Sequence, residues 1–417
     1  MRSPWRFAGG LTLVVYSIGH FVYSALYNGW RIHGGDVLTA FPGPLAVRVS
    51  QSWAPLTREW VAREMASRVP MQWNYGPVLH FVTLPLVLAS SYEQAMHVLL
   101  VIDALLLAAT FGLWVHLLRG GRRQVWMSLA IMCVWMNHFP LLEALAGREI
   151  ELLELFLITL AIWGLRRQRE GLAGTAFGLA AMTKFLPVIF IPYLFVKGYR
   201  RAGWAAAATA ATIALVTQPL LGWQRSVTLS VANAENAGTF DVIPTAYSNQ
   251  SLTNILHKTF TAFNINDPRP PTLYPDLRIA GILLSVAVMV ATAAWIVRWR
   301  RCRQLEVECA LLAVVMFLVV PHANTYYLVF VLPALSIGVA RWWERPAALT
   351  LPAKVALAGA IALTGLLLPM GVYERLTGIP GVLVARVLQG WSLPAYGAIL
   401  AAGLMVEVHR LSRDRPA

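Results

Sequence analysis

From Phe7 to His409 long apolar stretches alternate with short Arg-rich hinges, and the stretches carry almost no charge on any side. A helix of a soluble protein keeps one wet face, whereas a run of about 17–25 residues that is apolar all round suits a helix surrounded by hydrocarbon. Twelve such segments are expected, over 7–30, 75–89, 95–118, 125–142, 150–165, 171–196, 204–221, 277–297, 305–320, 326–340, 353–370 and 391–408. The first follows Arg2 and Arg6 and imitates a signal peptide, but it is too long for the apolar core of one and is read as an uncleaved first helix. Two stretches interrupt the rhythm, 31–74 and 222–276, both rich in Pro, Asn, Gly and Trp and far longer than a hinge. Loops of that length commonly carry function.

Composition agrees: 58% of the 417 residues are hydrophobic and 13% charged, against about a quarter charged in soluble domains. The expected fold is therefore all-α, a polytopic membrane protein of about twelve helices forming a single integral membrane domain over 1–417. The net charge of +14 resides in the hinges, so topology explains it and nucleic acid is excluded as a partner. In the second half the basic hinges 298–303, 341–345 and 410–415 alternate with uncharged turns, which places them, and both termini, on the cytoplasmic side. Both long loops and the 321–325 turn then face outward. The same count puts the basic clusters 119–123 and 166–169 outside, so a short or re-entrant piece is expected in the first half. Cys133, Cys302 and Cys309 form no CxxC pair and have no His cluster beside them, so neither a metal site nor a disulfide framework is expected.

Six places carry chemistry. Asp36 follows Gly34 and Gly35 just beyond the first span; ionised at neutral pH, it can take a proton from a hydroxyl aligned for attack, or simply serve a turn. Over 56–69 an apolar face (Leu56, Trp60, Val61, Met65, Val69) opposes a charged one, as in a helix lying in the interface. Lys184 lies inside an apolar segment just before Pro187, where an ammonium needs an anionic partner: a lipid phosphate or a buried Glu would serve. Arg148 offers a fork-shaped donor for phosphate amid Glu143, Glu149, Glu151 and Glu154, acids that also suit a helix N-terminus. Asn249 and Gln250 can grip sugar hydroxyls, or Ser248 or Asn249 can cap the helix that follows, which contains His257 and Lys258. His322, Tyr326 and Tyr327 share the 321–327 turn, where an imidazole can donate to a leaving phosphate or simply complete the turn's own hydrogen bonds.

These pieces in this order resemble the type-C glycosyltransferase superfamily, and within it the glycosyltransferase family 87 mannosyltransferases. The matching runs are GLAAMTKFLP around Lys184, NQSL at Asn249 to Leu252, and PHANTYYLVFVLPAL from Pro321. The resemblance implies a multi-helix protein of the cell (inner) membrane that moves a sugar, mannose in the family, from a polyprenyl phosphate to a lipid or glycan hydroxyl, in envelope glycolipid synthesis. It implies transfer at the extracytoplasmic face with inversion, without metal or cofactor, and makes Asp36 the base. Lys184, His322 and Arg148 then face the donor phosphate, and Asn249, Gln250 and Tyr326 the sugar or acceptor. The chain departs from the family pattern after Asp36, at Tyr75-Gly76-Pro77 and at Gly147-Arg148-Glu149. Two rival classes stand beside this reading. A secondary transporter or lipid flippase would tolerate Lys184 and Asp103 inside the membrane but would concentrate its polar residues at the midplane. A non-catalytic subunit of an envelope-assembly complex would be indifferent to loss of Asp36.

Overall fold

A computed structural model describes residues 4–27, 30, 78, 92–118, 124–221, 249–261, 274–302, 304–320, 323–365, 374–376, 378 and 387–413. Asp36, His322, the interfacial helix expected over 56–69 and the segment expected over 75–89, Val78 apart, lie outside them. The main helices are α1 (Pro4–Phe21, continued by a π-helical turn Val22–Tyr27), α2 (Tyr92–Leu117), α3 (Gln124–Met136), α4 (Phe139–Gly147) and α5 (Glu151–Arg166). They continue as α6 (Glu170–Lys184), α7 (Phe190–Val196), α8 (Arg200–Leu221), α9 (Leu252–Phe260) and α10 (Pro275–Arg298). Last come α11 (Leu305–Val319), α12 (Leu332–Glu344), α13 (Leu351–Thr364) and α14 (Leu393–Arg413). Among the described residues the only extended pairings are two isolated bridges, so the chain is all-helical there.

Among the described residues, four helical stretches are long and apolar enough to cross a membrane: Ala8–Tyr27, Met96–Leu117, Pro275–Arg298 and Thr325–Glu344; Gln124–Met136, Leu186–Val196 and Leu351–Thr364 are shorter apolar helices. The first three expose most of their apolar surface, as lipid-facing helices do, and the fourth is largely enclosed by protein. The chain is a polytopic membrane protein. Two of the expected continuous segments are broken. The 125–142 segment stops at Asn137 and restarts as α4, where Pro140, lacking an N–H, suits a first turn. The 171–196 segment ends at Lys184; Phe185 takes a left-handed conformation (φ 63°) and Pro187 opens a 3-10 turn, Leu186–Ile189, before α7.

The described helices group into two compact units, one drawn from Met1–Asn28, Phe111–Glu143 and Asp241–Ala417, the other from Gly29–Thr110 and Ala144–Phe240. In the first, α11 is buried along nearly its whole length and packs against α10, α12 and α14. Polar side chains join helices where the apolar effect is weak: Asn137 donates to Ser17 Oγ of α1 at 2.8 Å and bonds His20 Nδ1 at 2.8 Å, and Trp135 donates to Ser336 of α12 at 2.9 Å. At one end Glu308 of α11 lies 3.5 Å from His409 of α14, whose ring meets Trp295 edge-on.

The second unit is built on α6, which packs against α5 and α8. Its face toward α8 carries Gly174 and Gly178, one turn apart. A Cβ at Gly174 would stand 2.6 Å from Ala205 Cβ, and one at Gly178 would stand 2.6 Å from Ala206 O. Only hydrogen fits, so the backbones approach closely and gain dispersion and packing contacts that lipid tails cannot match.

Candidate functional site

Two polar groups, one in each unit, carry the chemistry of the described residues. In the second unit, Glu151 and Glu154 occupy the first turn of α5, where carboxylates meet the positive helix end. Both are fully buried, unlike ordinary capping acids. Glu151 Oε1 is ion-paired with Lys184 Nζ at the end of α6. Glu154, three residues on along the same face, interacts with the charges of both; neither of its carboxylate oxygens has a hydrogen-bond partner among the described residues.

Arg148 completes this group from the α4–α5 turn. It is 2% exposed, adopts φ 55°, and donates from Nε to Met96 O at 3.2 Å and from Nη1 to Ala146 O at 3.1 Å. Buried Asp103 of α2 interacts with the charges of Arg148 and Glu151. Two cations thus stand among three acids, and the sequence candidates Lys184 and Arg148 share one cluster. A phosphate reaching Lys184 must compete with Glu151, because an intramembrane ammonium is stable only beside an anion.

In the first unit the group forms around the start of α9. Ser251 caps the helix, accepting from Asn254 N at 3.3 Å; the cap expected from Ser248 or Asn249 is therefore displaced to Ser251. Asn249 has a different task. Its Oδ1 accepts from Ser251 N at 3.0 Å and from Ala323 N at 3.1 Å, and its backbone pairs with Asn324. Gln250 N donates to Ala323 O at 2.6 Å. Asn324 Nδ2 then donates to Tyr326 Oη at 2.6 Å, and the Tyr326 and Tyr327 rings meet edge-on at 5.2 Å. So the structure brings together Asn249, Gln250 and Tyr326, from segments more than seventy residues apart. Asn249 and Gln250 are fully buried and build the junction, while Tyr326 is half-buried.

Residues without a sequence-derived role complete it. Gln389 O accepts from Gln250 Nε2 at 3.0 Å and from Lys258 Nζ at 2.8 Å, and Lys258 Nζ also reaches Asn249 O at 2.8 Å. Gln389 Nε2 donates to Glu143 Oε1 of α4 at 2.9 Å. Burial pushes the Lys258 ammonium down to about 7. Burial likewise pushes the Glu143 carboxyl up to about 7, with the Gln389 hydrogen bond acting the other way. Two groups joined through one glutamine therefore titrate near neutrality. Lys258 was visible in sequence as a basic residue of a short helix; Gln389, 139 residues from Gln250, carried no signal. α9 itself is held against α10 at Gly281, where a Cβ would stand 2.6 Å from Thr253 Cα.

Among the described residues no three His, Cys, Asp or Glu side chains are placed to hold a metal ion together. Among curated proteins, none matches the chain. The family model for glycosyltransferase family 87 matches residues 73–321. That stretch is more than half of the chain and takes in both the Lys184 cluster and the bridge at Asn249 with the helix that follows it. The helices that face lipid and the polar groups inside both units accordingly belong to a membrane glycosyltransferase: the chain is a member of glycosyltransferase family 87.

Proposed function

We propose that this enzyme moves a sugar, mannose by the pattern of the family, from a polyprenyl-phosphate donor to the hydroxyl of a lipid or glycan acceptor. The reaction takes place at the extracytoplasmic face of the inner membrane, in a protein of about twelve spans of type-C architecture with both termini in the cytoplasm. Asp36 accepts the proton of the acceptor hydroxyl as its oxygen attacks the anomeric carbon. The bond from that carbon to the phosphate oxygen breaks with its electron pair remaining on phosphate, and the configuration inverts. No metal enters the step. Lys184, His322 and Arg148 face the donor phosphate, Lys184 by exchanging Glu151 for it; Asn249, Gln250 and Tyr326 form the sugar or acceptor side. Holding two substrates in line supplies much of the rate where positioning and electrostatics act alone.

The observation that carries this reading is the junction of Asn249–Gln250 with Ala323–Tyr326. It is an amide- and phenol-rich group of the kind that meets sugar hydroxyls, set in a unit whose helices face lipid. A donor with a polyprenyl tail and a sugar head needs both. The test is incubation of purified protein with radiolabelled polyprenyl-phosphate mannose and a panel of membrane lipids. Label should pass to one lipid class, and an Asp36→Asn enzyme should lose at least a hundredfold in rate while still binding donor. Transfer at the wild-type rate by that variant would remove the base from the scheme.

A further inference from the structure

In the first unit, buried polar side chains tie one element to another: Asn137 to Ser17 and His20, Trp135 to Ser336, and Asn249 to the backbone of Ala323. His257 of α9 does not. It is 0% exposed, yet neither of its ring nitrogens has a hydrogen-bond partner among the described residues. Burying a polar group without a partner forfeits its hydration, so native structures do it rarely, and an instance calls for something that arrives to bind. Nor does the ring stand on a loosely held segment. Ser251 caps its helix, Thr253 one turn earlier is wedged against Gly281 of α10, and His257 O accepts from Thr261 N at 2.9 Å. Thr253, Asn254 and His257, spaced by three and four residues, make one face of α9 polar and buried at once. Asn254 Nδ2 donates to Asn249 O at 2.5 Å, which carries that face into the junction with Asn324 and Tyr326. His257 also ends the covered stretch: Lys258 is half-buried, and Thr259 and Phe260 are exposed.

We infer that His257 hydrogen-bonds the hydroxyls of a pyranose held at the junction of Asn249, Asn324 and Tyr326, and so takes part in sugar selection. The inference rests on the transferase reading and deepens it: Asn249 and Gln250 build the junction, and His257 adds a side chain that meets the ligand. The chemistry of the ring sets the ligand class. Burial pushes the imidazole below its ordinary value, which keeps it neutral at pH 7. A neutral ring offers one N–H and one acceptor nitrogen. A phosphodiester accepts but does not donate, so it answers only the first. Neighbouring hydroxyls of a sugar ring answer both, one accepting and the other donating. Those hydroxyls belong either to the donor's sugar or to a glycan acceptor, and the recognition is the same in each case. His257 takes no proton in the transfer, which stays with Asp36.

The probes, measured in lipid nanodiscs, are polyprenyl-phosphate mannose, the same lipid phosphodiester with a methyl group in place of the sugar, and octyl mannoside, a sugar on a lipid without phosphate. Wild-type protein should favour the mannosyl lipid over the methyl lipid by about tenfold, the worth of two neutral hydrogen bonds. His257→Phe keeps a ring and drops both nitrogens. It should abolish that preference, leave affinity for the methyl lipid unchanged, and melt at or above wild type when substrate-free, because a buried polar group without a partner is gone. His257→Gln, which ends in a donor and an acceptor, should keep most of the preference, and His257→Met, of the same length without them, should lose it. Should His257→Phe fail to fold, the Gln and Met variants decide, and an equal preference in the two overturns the inference. Loss of the lipid preference assigns the hydroxyls to the donor; loss of octyl mannoside binding with that preference intact assigns them to the acceptor. An equal fall in affinity for the mannosyl and methyl lipids would put phosphate on the ring and overturn the inference. A His257→Phe enzyme that keeps the preference, octyl mannoside binding and sugar transfer refutes it and leaves the transferase reading standing. Wild-type protein that binds neither mannoside by its sugar and transfers none refutes both.

Discussion

The ion pair between Lys184 and Glu151 offers the sharpest test of the second unit, because its two ends should not be equivalent. The Lys184 side chain is 4% exposed and that of Glu151 is 0% exposed, so water screens neither. Lys184→Met leaves Glu151 and Glu154 buried one turn apart with no ammonium between them. Removing one member of a buried pair costs about 3–5 kcal/mol. Glu151→Gln is milder, since Glu154 already interacts with Lys184 and can serve as its counter-charge; a loss of about 1–3 kcal/mol is expected. The double variant Lys184→Met/Glu151→Gln removes both charges and should lie within about 2 kcal/mol of wild type, well short of the sum of the singles. For a cooperative unit of this size each kcal/mol moves the melting temperature by about 2–4 °C. Thermal unfolding of purified protein in bicelles, followed by tryptophan fluorescence, should therefore show Lys184→Met lowest, Glu151→Gln intermediate and the double variant near wild type. Glu151→Gln melting at or below Lys184→Met would refute Glu154 as the reserve partner. A double variant equal to the sum of the singles would refute the pairing itself.

Other outcomes follow from the same geometry. Gly178→Leu drives a side chain into Ala206 O and Thr209, so it should destabilise the α6–α8 contact by about 1–3 kcal/mol or more, read as a lower melting temperature. Ser251→Ala removes the α9 cap and should cost about 1 kcal/mol, with faster amide exchange at Asn254. Glu143 binds its proton more tightly folded than unfolded, its carboxyl standing at about 7 against 4.5. Its contribution is therefore full below pH 4.5 and is lost as pH rises to 7, by up to about 3 kcal/mol. Glu143→Gln should abolish that fall in melting temperature between pH 4.5 and 7. An unchanged slope would show that Glu143 binds its proton no more tightly folded than unfolded and that other groups set the pH dependence.

How much was legible in the sequence differs between helices and site. Apolar runs alone determined the membrane class and the approximate position of the described helices, since a segment that must satisfy its backbone in hydrocarbon has few choices beyond helix. They also located the polar residues: Lys184 before a proline, Asn249 and Gln250 at the start of a helix, and Tyr326 after a turn. The break of 171–196 was partly readable in Pro187, and the Gly174–Gly178 spacing announces close packing to a reader who looks for it. Only the tertiary structure decided what those residues touch. Lys184 is ion-paired with Glu151; Arg148 donates to the carbonyls of Met96 and Ala146; Ser251 takes the cap and frees Asn249 to bind Ala323. Gln389 gathers Gln250, Lys258 and Glu143 from three distant segments. Periodicity is a local property, imposed residue by residue by the solvent around each helix. Charge pairing and hydrogen-bond closure are settled between segments, by whichever partners the packing brings within about 3 Å, and no spacing along the chain encodes that.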